Sequence, residues 1–564
     1  MIVGIDLGTT HSLISVWQEN QAVLIPNALG EVLTPSAVGI GEEGHVLVGR
    51  AAHDYWLTRP ESCATIFKRH MGSDRQYRLG QRSFRPEELS ALVLKSLKAD
   101  AEHYLHESVS EAIITVPAYF SNVQRTATRQ AGELAGLTVK RLINEPTAAA
   151  LSYGLQEAPN ESTFMVVDLG GGTFDVAILE RFDDLMEVRA STGDNFLGGE
   201  DFVDIILDMV RRQWPNLPYD GSSTLQGRLW REAERVKRVL GSGEDAEFAL
   251  EWETASYRHT IHAAAFEKAC EPLLQRIRRP IERALRDAKL DASTIGEVVL
   301  AGGATRMPMV RRLVAKMFGR IPAMHLNPDE VIARGAAVMA GLAARDQVLR
   351  EIVMVDVCPY SLGTSITRQC NGVRQHGCFD PIIERNTPVP VSRESQYQTG
   401  HDYQQAVAID VYQGEARLVK DNILLGTLEI PIPPRAAGEI TMTVRFTYDV
   451  SGILECEVTI PSTGVVERLV LQGNAHSLTP SQVAARLQEL ATLKIHPRNQ
   501  QANITTLARA DRLHEELTGS DRRTLADQIL AMEAALESQE TESIDQARKM
   551  LEACMNRLER NYLY

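Results

Sequence analysis

Residues 2–17, IVGIDLGTTHSLISVW, and residues 165–180, MVVDLGGGTFDVAILE, share one grammar: an apolar run, Asp-Leu-Gly, a turn of small and hydroxylated residues, then a second apolar run. Short apolar runs bounded by Gly-rich turns read as buried strands, so each stretch predicts a hairpin. Its recurrence far downstream predicts two similar halves that face each other across a cleft. The halves matter more than any single motif, because they frame everything between them.

Outward from these stretches, apolar runs alternate with helical patterns from residue 1 to about 345. IVGI (2–5), AIITV (112–116), FMVV (164–167) and EVVLA (297–301) read as strands, and residues 225–240 as a helix with Leu225, Leu229, Val236 and Leu240 on one face. That is the rhythm of an α/β domain. Around 349–356 the apolar REIVMVDV follows a charged segment. It reads either as a buried strand or as a linker that docks on a neighbouring domain. From Cys358 to about Gly473 the pattern is all-β: ITMTVRFTY alternates Ile440, Met442, Val444, Phe446 and Tyr448 with polar residues, and AVAIDVY (406–412) and LECEVTI (454–460) do the same. An antiparallel sandwich is expected. Past His476 the chain turns helical, with Thr479 as N-cap, Pro480 at the first position and Gln482 three residues beyond the cap. Two stripes, Leu525, Ile529, Met532, Leu536 and Ile544, Ala547, Leu551, Cys554, Leu558, read as the core of a small bundle.

Composition narrows the function classes. The 564 residues are 44% hydrophobic and 24% charged, which excludes wholesale disorder and collagen-like repeats. A net charge of -15 argues against an electrostatic grip on nucleic acid or anionic lipid. Seven scattered cysteines without a CxxC fit reduced thiols in the cytoplasm. The N-terminus lacks a basic signal region and no apolar run approaches a bilayer's width. A cytoplasmic protein is expected, with no nucleic-acid or membrane partner.

Phosphate binding needs backbone N–H groups that converge without obstruction, so Gly8, Thr9 and Thr10, and Gly170, Gly171, Gly172 and Thr173, are apt in turns that follow strands. Asp6 and Asp168 precede the two turns and would flank a triphosphate; their carboxylates suit Mg²⁺, a cation that prefers oxygen and keeps much of its water. Either turn alone could simply close a hairpin; the matched pair argues for more. Gly198 and Gly199, and Gly302 and Gly303 after VVLA, would let backbone approach a nucleotide. On the 225–240 helix, Glu234 could accept from ribose hydroxyls and Arg238 could stack on a base, beside Lys237; a solvated polar face is the plainer alternative.

Together, IDLGTT, FKRHMG, TVPAYF, INEPTAAAL, DLGGGTFDV, LGGEDF, AGGATRMP and NPDE, in that order, resemble the DnaK-type chaperones, the seventy-kilodalton heat-shock class, and within it the bacterial HscC branch. The resemblance spans the chain and is most specific over residues 1–345. It implies a multidomain protein: a two-lobed α/β ATPase domain of actin-like, ribonuclease H-like fold (1–348), a linker (349–356), an antiparallel β-sandwich that binds peptide (357–476) and a short α-helical lid (477–564). It implies ATP or ADP, Mg²⁺ and K⁺ as cofactors, client polypeptides and a J-domain co-chaperone as partners, and an ATP hydrolysis cycle that sets peptide affinity.

Carried onto matching positions, the resemblance assigns Lys68 to the attacking water and the transferring phosphate. Glu145 joins Asp6, Asp168 and Asp175 in an acidic cluster, with Asp175 as the water-orienting base and Thr173 nearest the reacting phosphate. Gly199, Gly303, Arg306 and Asp329 would line the nucleoside pocket. Pro117 and Arg125 match a nucleotide-sensing switch, and Tyr119, Arg141 and Asn144 match a J-domain docking surface. Val353, Met354 and Asp356 belong to the docking linker. Val407 and Ile409 match the pocket for an apolar client side chain, although sandwich core is the alternative one register step away. Thr367 and Gly400 stand where bulkier residues arch over the peptide, so the arch is expected open or absent. Gly241 replaces a common serine near the adenine. The short segment 241–260 and the reduced lid make an exchange factor doubtful and peptide release fast. A metabolite kinase and an actin-like filament protein are the competing readings; neither needs the C-terminal β-rich region.

Overall fold

The computed structural model describes residues 1–41, 44–56, 59–156, 159, 161–183, 185–217, 223–323, 327–346, 349, 353–370, 373–449, 452–471, 501–517 and 519–562. The expected linker residue Ile352 and the expected helix start at Thr479, Pro480 and Gln482 lie outside the described residues.

Each quoted stretch opens a three-stranded antiparallel meander. In the first, Ile2–Asp6 pairs with His11–Gln18, which pairs with Gln21–Ile25. In the second, Glu161–Leu169 pairs with Phe174–Phe182, which pairs with Leu185–Asp194. Each meander is extended beside its first strand by a parallel one, Glu111–Val116 in the first and Glu297–Ala301 in the second. The sequence echo is thus a topological repeat. Parallel strands covered on both faces favour apolar side chains, and Ala112, Ile113, Ile114 and Val116 are all fully buried.

Two helices tie the repeats together. Glu145–Gln156 and Val331–Ala343 contribute Ala148, Leu151, Val331 and Val338 to one core, which also takes Ile113 and Ile143 from the first sheet and Phe164, Val166 and Leu179 from the second. The helices approach so closely that a Cβ at Gly335 would strike the Ala148 carbonyl. Small residues are required there because backbone meets backbone. Separate cores support each sheet from outside, and each large side chain buried in them contributes roughly 1.5–3 kcal/mol.

The strand Val353–Val357 runs parallel to Leu185–Asp194, placing Met354 opposite Met186, and Pro388–Val389 pairs antiparallel on its other side. It is only half-buried: Val353 is 54% exposed. The described residues form two compact units, Met1–Ser361 with Glu384–Val389, and Leu362–Ile383 and Pro390–Leu471 with the helices from residue 501 onward. Glu384–Val389, inside the stretch read as all-β, groups with the first unit because of that strand pairing and because Arg385 binds Asp287 at 2.8 Å.

The second unit holds two four-stranded antiparallel sheets. The alternation read in 440–448 appears as Met442, Val444 and Phe446 buried on the strand Thr441–Tyr448. Three helices, Gln501–Glu516, Gly519–Ser538 and Thr541–Tyr562, close a core on Leu525, Met532, Leu536, Ile544, Leu551 and Leu558. Among the described residues six cysteines are free and buried, and no helix is long and apolar enough to cross a membrane.

Candidate functional site

The two Asp-Leu-Gly turns interlock. A Cβ on Gly171 would overlap the Thr10 side chain, and one on Gly172 would overlap Thr9, so these glycines let the turns meet. The helix Gly199–Gln213 sits on the second turn through Gly199 N–H to the Gly170 carbonyl at 2.9 Å and Glu200 N–H to the Gly171 carbonyl at 3.0 Å. The turns form one end of a cavity of about 1110 Å³. Asp6, Gly8, Thr9, Thr10, Lys68, Glu145, Asp168, Gly170, Gly171, Thr173, Gly199, Glu234, Lys237, Arg238, Gly302, Gly303, Arg306 and Asp329 all line it. Sequence reasoning placed each of them at a nucleotide site.

Three expected residues lie off the cavity. The Gly172 carbonyl accepts from Arg69 Nε at 2.9 Å, and Gly198 packs flat on the Gly171 backbone. Asp175 is withdrawn because its Oδ1 accepts from Tyr119 N–H at 3.1 Å, which ties it to the segment of Pro117. Asp6, Glu145 and Asp168 present their carboxylates to the cavity.

The chemistry concentrates at buried charges. Lys68, in the turn Phe67–His70, donates to Glu145 at 2.6 Å, and both side chains are buried. Asp6 accepts from Thr115 Oγ1 at 2.9 Å. Burial, reinforced by the Glu145 charge, pushes Asp6 up to about 7. Burial also raises Asp168 well above its ordinary value, with Glu145, Asp175 and Asp6 adding to the effect. Asp175 rises to about 8, again chiefly through burial. One ammonium therefore faces four carboxylates, an imbalance that a cation relieves. Asp168 Oδ1 is buried without a protein hydrogen-bond partner, which leaves a lone pair aimed where water or a cation would sit. Among the described residues no three His, Cys, Asp or Glu side chains gather into a direct metal cage. Carboxylates such as Asp6 and Asp168, both lining the cavity, are of the oxygen-ligand type that Mg²⁺ prefers.

The other end of the cavity is lined by charged side chains. On the helix Ser223–Leu240, Glu234 is gripped by Lys237 at 2.5 Å and Arg238 at 2.9 Å. Opposite, Arg306 binds Asp329 at 2.7 Å, and Gly302 turns the chain at φ 78, a conformation that favours glycine.

The Hsp70 protein family model matches residues 2–78 and 74–562. The chain belongs to the Hsp70 family. It is 38% identical over 526 residues to the chaperone protein DnaK of Thermosipho africanus (strain TCF52B), covering 91% of this chain and 86% of that one. It is 37% identical over 562 residues to the chaperone protein DnaK of Thermotoga maritima (strain ATCC 43589 / DSM 3109 / JCM 10099 / NBRC 100826 / MSB8), covering 97% and 92%. As an Hsp70 it is an ATP-dependent molecular chaperone, a Mg²⁺-dependent ATP hydrolase that binds client polypeptides, and the metabolite-kinase reading is set aside.

In this Hsp70 a run of hydrogen bonds leaves the cavity. Arg125 donates to the Ala118 and Phe120 carbonyls at 3.0 and 3.1 Å and to Asn144 Oδ1 at 2.6 Å. Asn144 Nδ2 donates to both carboxylate oxygens of Asp356, at 3.1 and 3.0 Å. Asp175, through the Tyr119 N–H, joins the acidic cluster to the 117–120 segment, and Arg125 and Asn144 join that segment to the 353–357 strand. Tyr119 also stacks on Tyr360 at 4.3 Å, and its carbonyl accepts from the Tyr360 hydroxyl at 2.7 Å.

In the second unit Val407 and Ile409 are buried on Ala406–Gln413. Thr367 is exposed with its hydroxyl 2.9 Å from His376 Nδ1, and a Cβ on Gly400 would meet nothing within 4 Å. Sequence reading missed His11, Glu200 and Trp230 among the residues that line the cavity. His11, pushed down to about 4 by burial and then by Arg238, is the neutral neighbour of Thr10. Glu200 accepts from Trp230 Nε1 at 3.0 Å. The letter E inside LGGEDF was visible; its tryptophan partner on another helix was not.

Proposed function

We propose that the nucleotide state of residues 1–348 sets the peptide affinity of residues 357–476 through the linker 349–356, with residues 477–564 as a reduced lid. The first unit is read as an actin-like, ribonuclease H-like pair of lobes, supported by the duplicated meander. The second is read as a β-sandwich with its helices. The network from the acidic cluster through Arg125 and Asn144 to Asp356 is the observation that carries this reading.

In this reading the turns at Thr9, Thr10 and Gly170–Thr173 cradle the phosphates, and Asp6 and Asp168 would hold Mg²⁺ through water, where it would offset phosphate charge. Lys68 places the attacking water, steadied by Glu145 and by the Phe120 ring 5.7 Å from its ammonium. Thr173 lies nearest the reacting phosphate. Asp175, through Tyr119, passes a change at the cavity to the Pro117 segment. Glu234, Lys237, Arg238, Arg306 and Asp329 hold the nucleoside, and K⁺ completes the cofactor set. Val407 and Ile409 form the client pocket, and Thr367 and Gly400 leave the arch above it open, which also supports the HscC branch. A J-domain co-chaperone docks at Tyr119, Arg141 and Asn144. The short hairpin of Ala246–Trp252 and Ala255–Ile261 leaves an exchange factor unnecessary. Buried free thiols support a cytoplasmic setting.

Release of a fluorescent apolar peptide, measured with ADP and with ATP, tests the reading. Faster release with ATP is expected; equal rates would sink the coupling.

A further inference from the structure

The strand Val391–Gln398 ends its sheet and pairs on one side with Thr441–Tyr448. An edge strand offers backbone N–H and C=O groups to anything able to pair with them. At Glu394 both groups are taken by one side chain. Gln539 Nε2 donates to the Glu394 carbonyl at 2.7 Å, and Gln539 Oε1 accepts from the Glu394 N–H at 3.3 Å. An antiparallel neighbour makes the same double exchange with the residue opposite it. The glutamine amide therefore stands where the backbone of a fifth strand would lie.

The placement of Gln539 is specific. It is buried, with 7% of its surface exposed, and adopts left-handed φ 56 in the break between Gly519–Ser538 and Thr541–Tyr562. Non-glycine residues enter that region rarely, and surrounding contacts must hold them there. The turn is braced by Glu540 N–H to Ser538 Oγ at 3.3 Å and by Ser543 Oγ to Glu540 Oε2 at 2.6 Å. The Glu540 charge attracts Arg393, the neighbour of Glu394, while Arg445 pairs with the Glu394 carboxylate across the ladder. The helices bury Leu525, Met532, Leu536, Ile544 and Leu551 among themselves, so their core does not depend on the strand. The turn can leave the edge with the helices intact.

We propose that the free edge of Val391–Gln398 is a second docking site for extended polypeptide, occupied in this structure by Gln539 as an internal stand-in. Binding there is strand addition, in which main-chain hydrogen bonds supply affinity and sequence is read weakly. Extended segments with unpaired backbone are the ligands a chaperone meets, and Gln539 already imitates one of their peptide groups. The site is separate from Val407 and Ile409, whose strand belongs to the other sheet.

The test uses the full chain and a short peptide of alternating Leu and Val carrying a benzophenone, with an analogue N-methylated at every second residue. In Gln539→Ala the Glu394 amide should exchange roughly tenfold faster or more, the effect of losing such hydrogen bonds. The peptide should restore protection and cross-link within 391–398, and the N-methylated analogue should do neither. Gln539→Leu, which lacks both the donor and the acceptor at similar size, should behave in the same direction. An unchanged Glu394 amide in both variants overturns the proposal. So do cross-links confined to the segment around Val407 and Ile409, a result that leaves the nucleotide-controlled pocket standing. Protection that returns with protein concentration alone, together with a dimer in sedimentation, assigns the edge to a second copy and overturns the polypeptide. Circular dichroism of the same variants should be unchanged; lost helix would overturn the independence of the bundle.

Discussion

Lys68 and Glu145 show how much one residue carries. Their 2.6 Å contact is almost wholly buried, so removing the ammonium strands a buried carboxylate, at a cost of about 3–5 kcal/mol. Lys68→Ala should therefore melt earlier and, while still binding nucleotide, hydrolyse ATP ~100- to 1000-fold more slowly in a single turnover, the loss seen when one preorganised donor is removed. Adding Glu145→Gln should recover the melting temperature and leave hydrolysis slow. Wild-type turnover in Lys68→Ala would remove the lysine from the chemistry. Glu200 carries a pH signature instead. Burial raises it from its ordinary 4.5 to about 7, with Lys237 and the Trp230 hydrogen bond only partly offsetting the effect. Between those values the folded chain keeps a proton that the unfolded chain has released, so stability falls as pH rises, by on the order of 3 kcal/mol across the window. Melting curves from pH 4.5 to 7 should show that slope flattened in Glu200→Gln; an identical slope would assign the proton elsewhere. Neither effect was legible in the sequence, because a contact between residues far apart in the chain leaves no local pattern.

Elements were far more legible. The 440–448 alternation and the two helical stripes had only to obey a period, and burial follows those letters. The repeated Asp-Leu-Gly turns were readable because a Gly-rich turn between apolar runs has few structural uses. What could not be read was how turns meet. Gly172 and Gly198 lie off the cavity lining, against Thr9 and the Gly171 backbone, and Asp175 Oδ1 accepts from the Tyr119 N–H, contacts that no local pattern announces. Since Gly198 lies against the Gly171 backbone, Gly198→Ala must push the second turn toward the first. Overpacking of this kind costs about 1–3 kcal/mol, and it should appear as earlier melting of the nucleotide-free protein together with weaker ADP binding by calorimetry. Unaltered affinity would mean that the turn's position is not what the cavity reads.

Across the whole molecule, hydrolysis matters only if a distant segment feels it, and the 353–357 strand is the segment placed to do so. It extends the second sheet in parallel beside Leu185–Asp194, while Asn144 holds Asp356 through both carboxylate oxygens. Burial raises the Asp356 pKa, opposed by the Val357 N–H and by Arg141 and Arg125, so the carboxylate depends on that polar network. Met354 packs partly into the core shared by the two sheets, whereas Val353 is exposed. Aspartate at Met354 would place charge against that core, and aspartate at Val353 would remove a β-branched residue from the strand, without touching any cavity residue. Val353→Asp with Met354→Asp should bind ATP as the wild type does and lose the stimulation of hydrolysis by peptide. The peptide's release rate should then stop responding to nucleotide. Coupling between sites of this kind is typically about 1–3 kcal/mol, or roughly 5- to 150-fold in affinity, so its disappearance is well within reach of stopped-flow fluorescence. If stimulation survives in the double variant, the strand is only an edge of the sheet, and the signal must leave the acidic cluster by the Tyr119–Tyr360 contact instead.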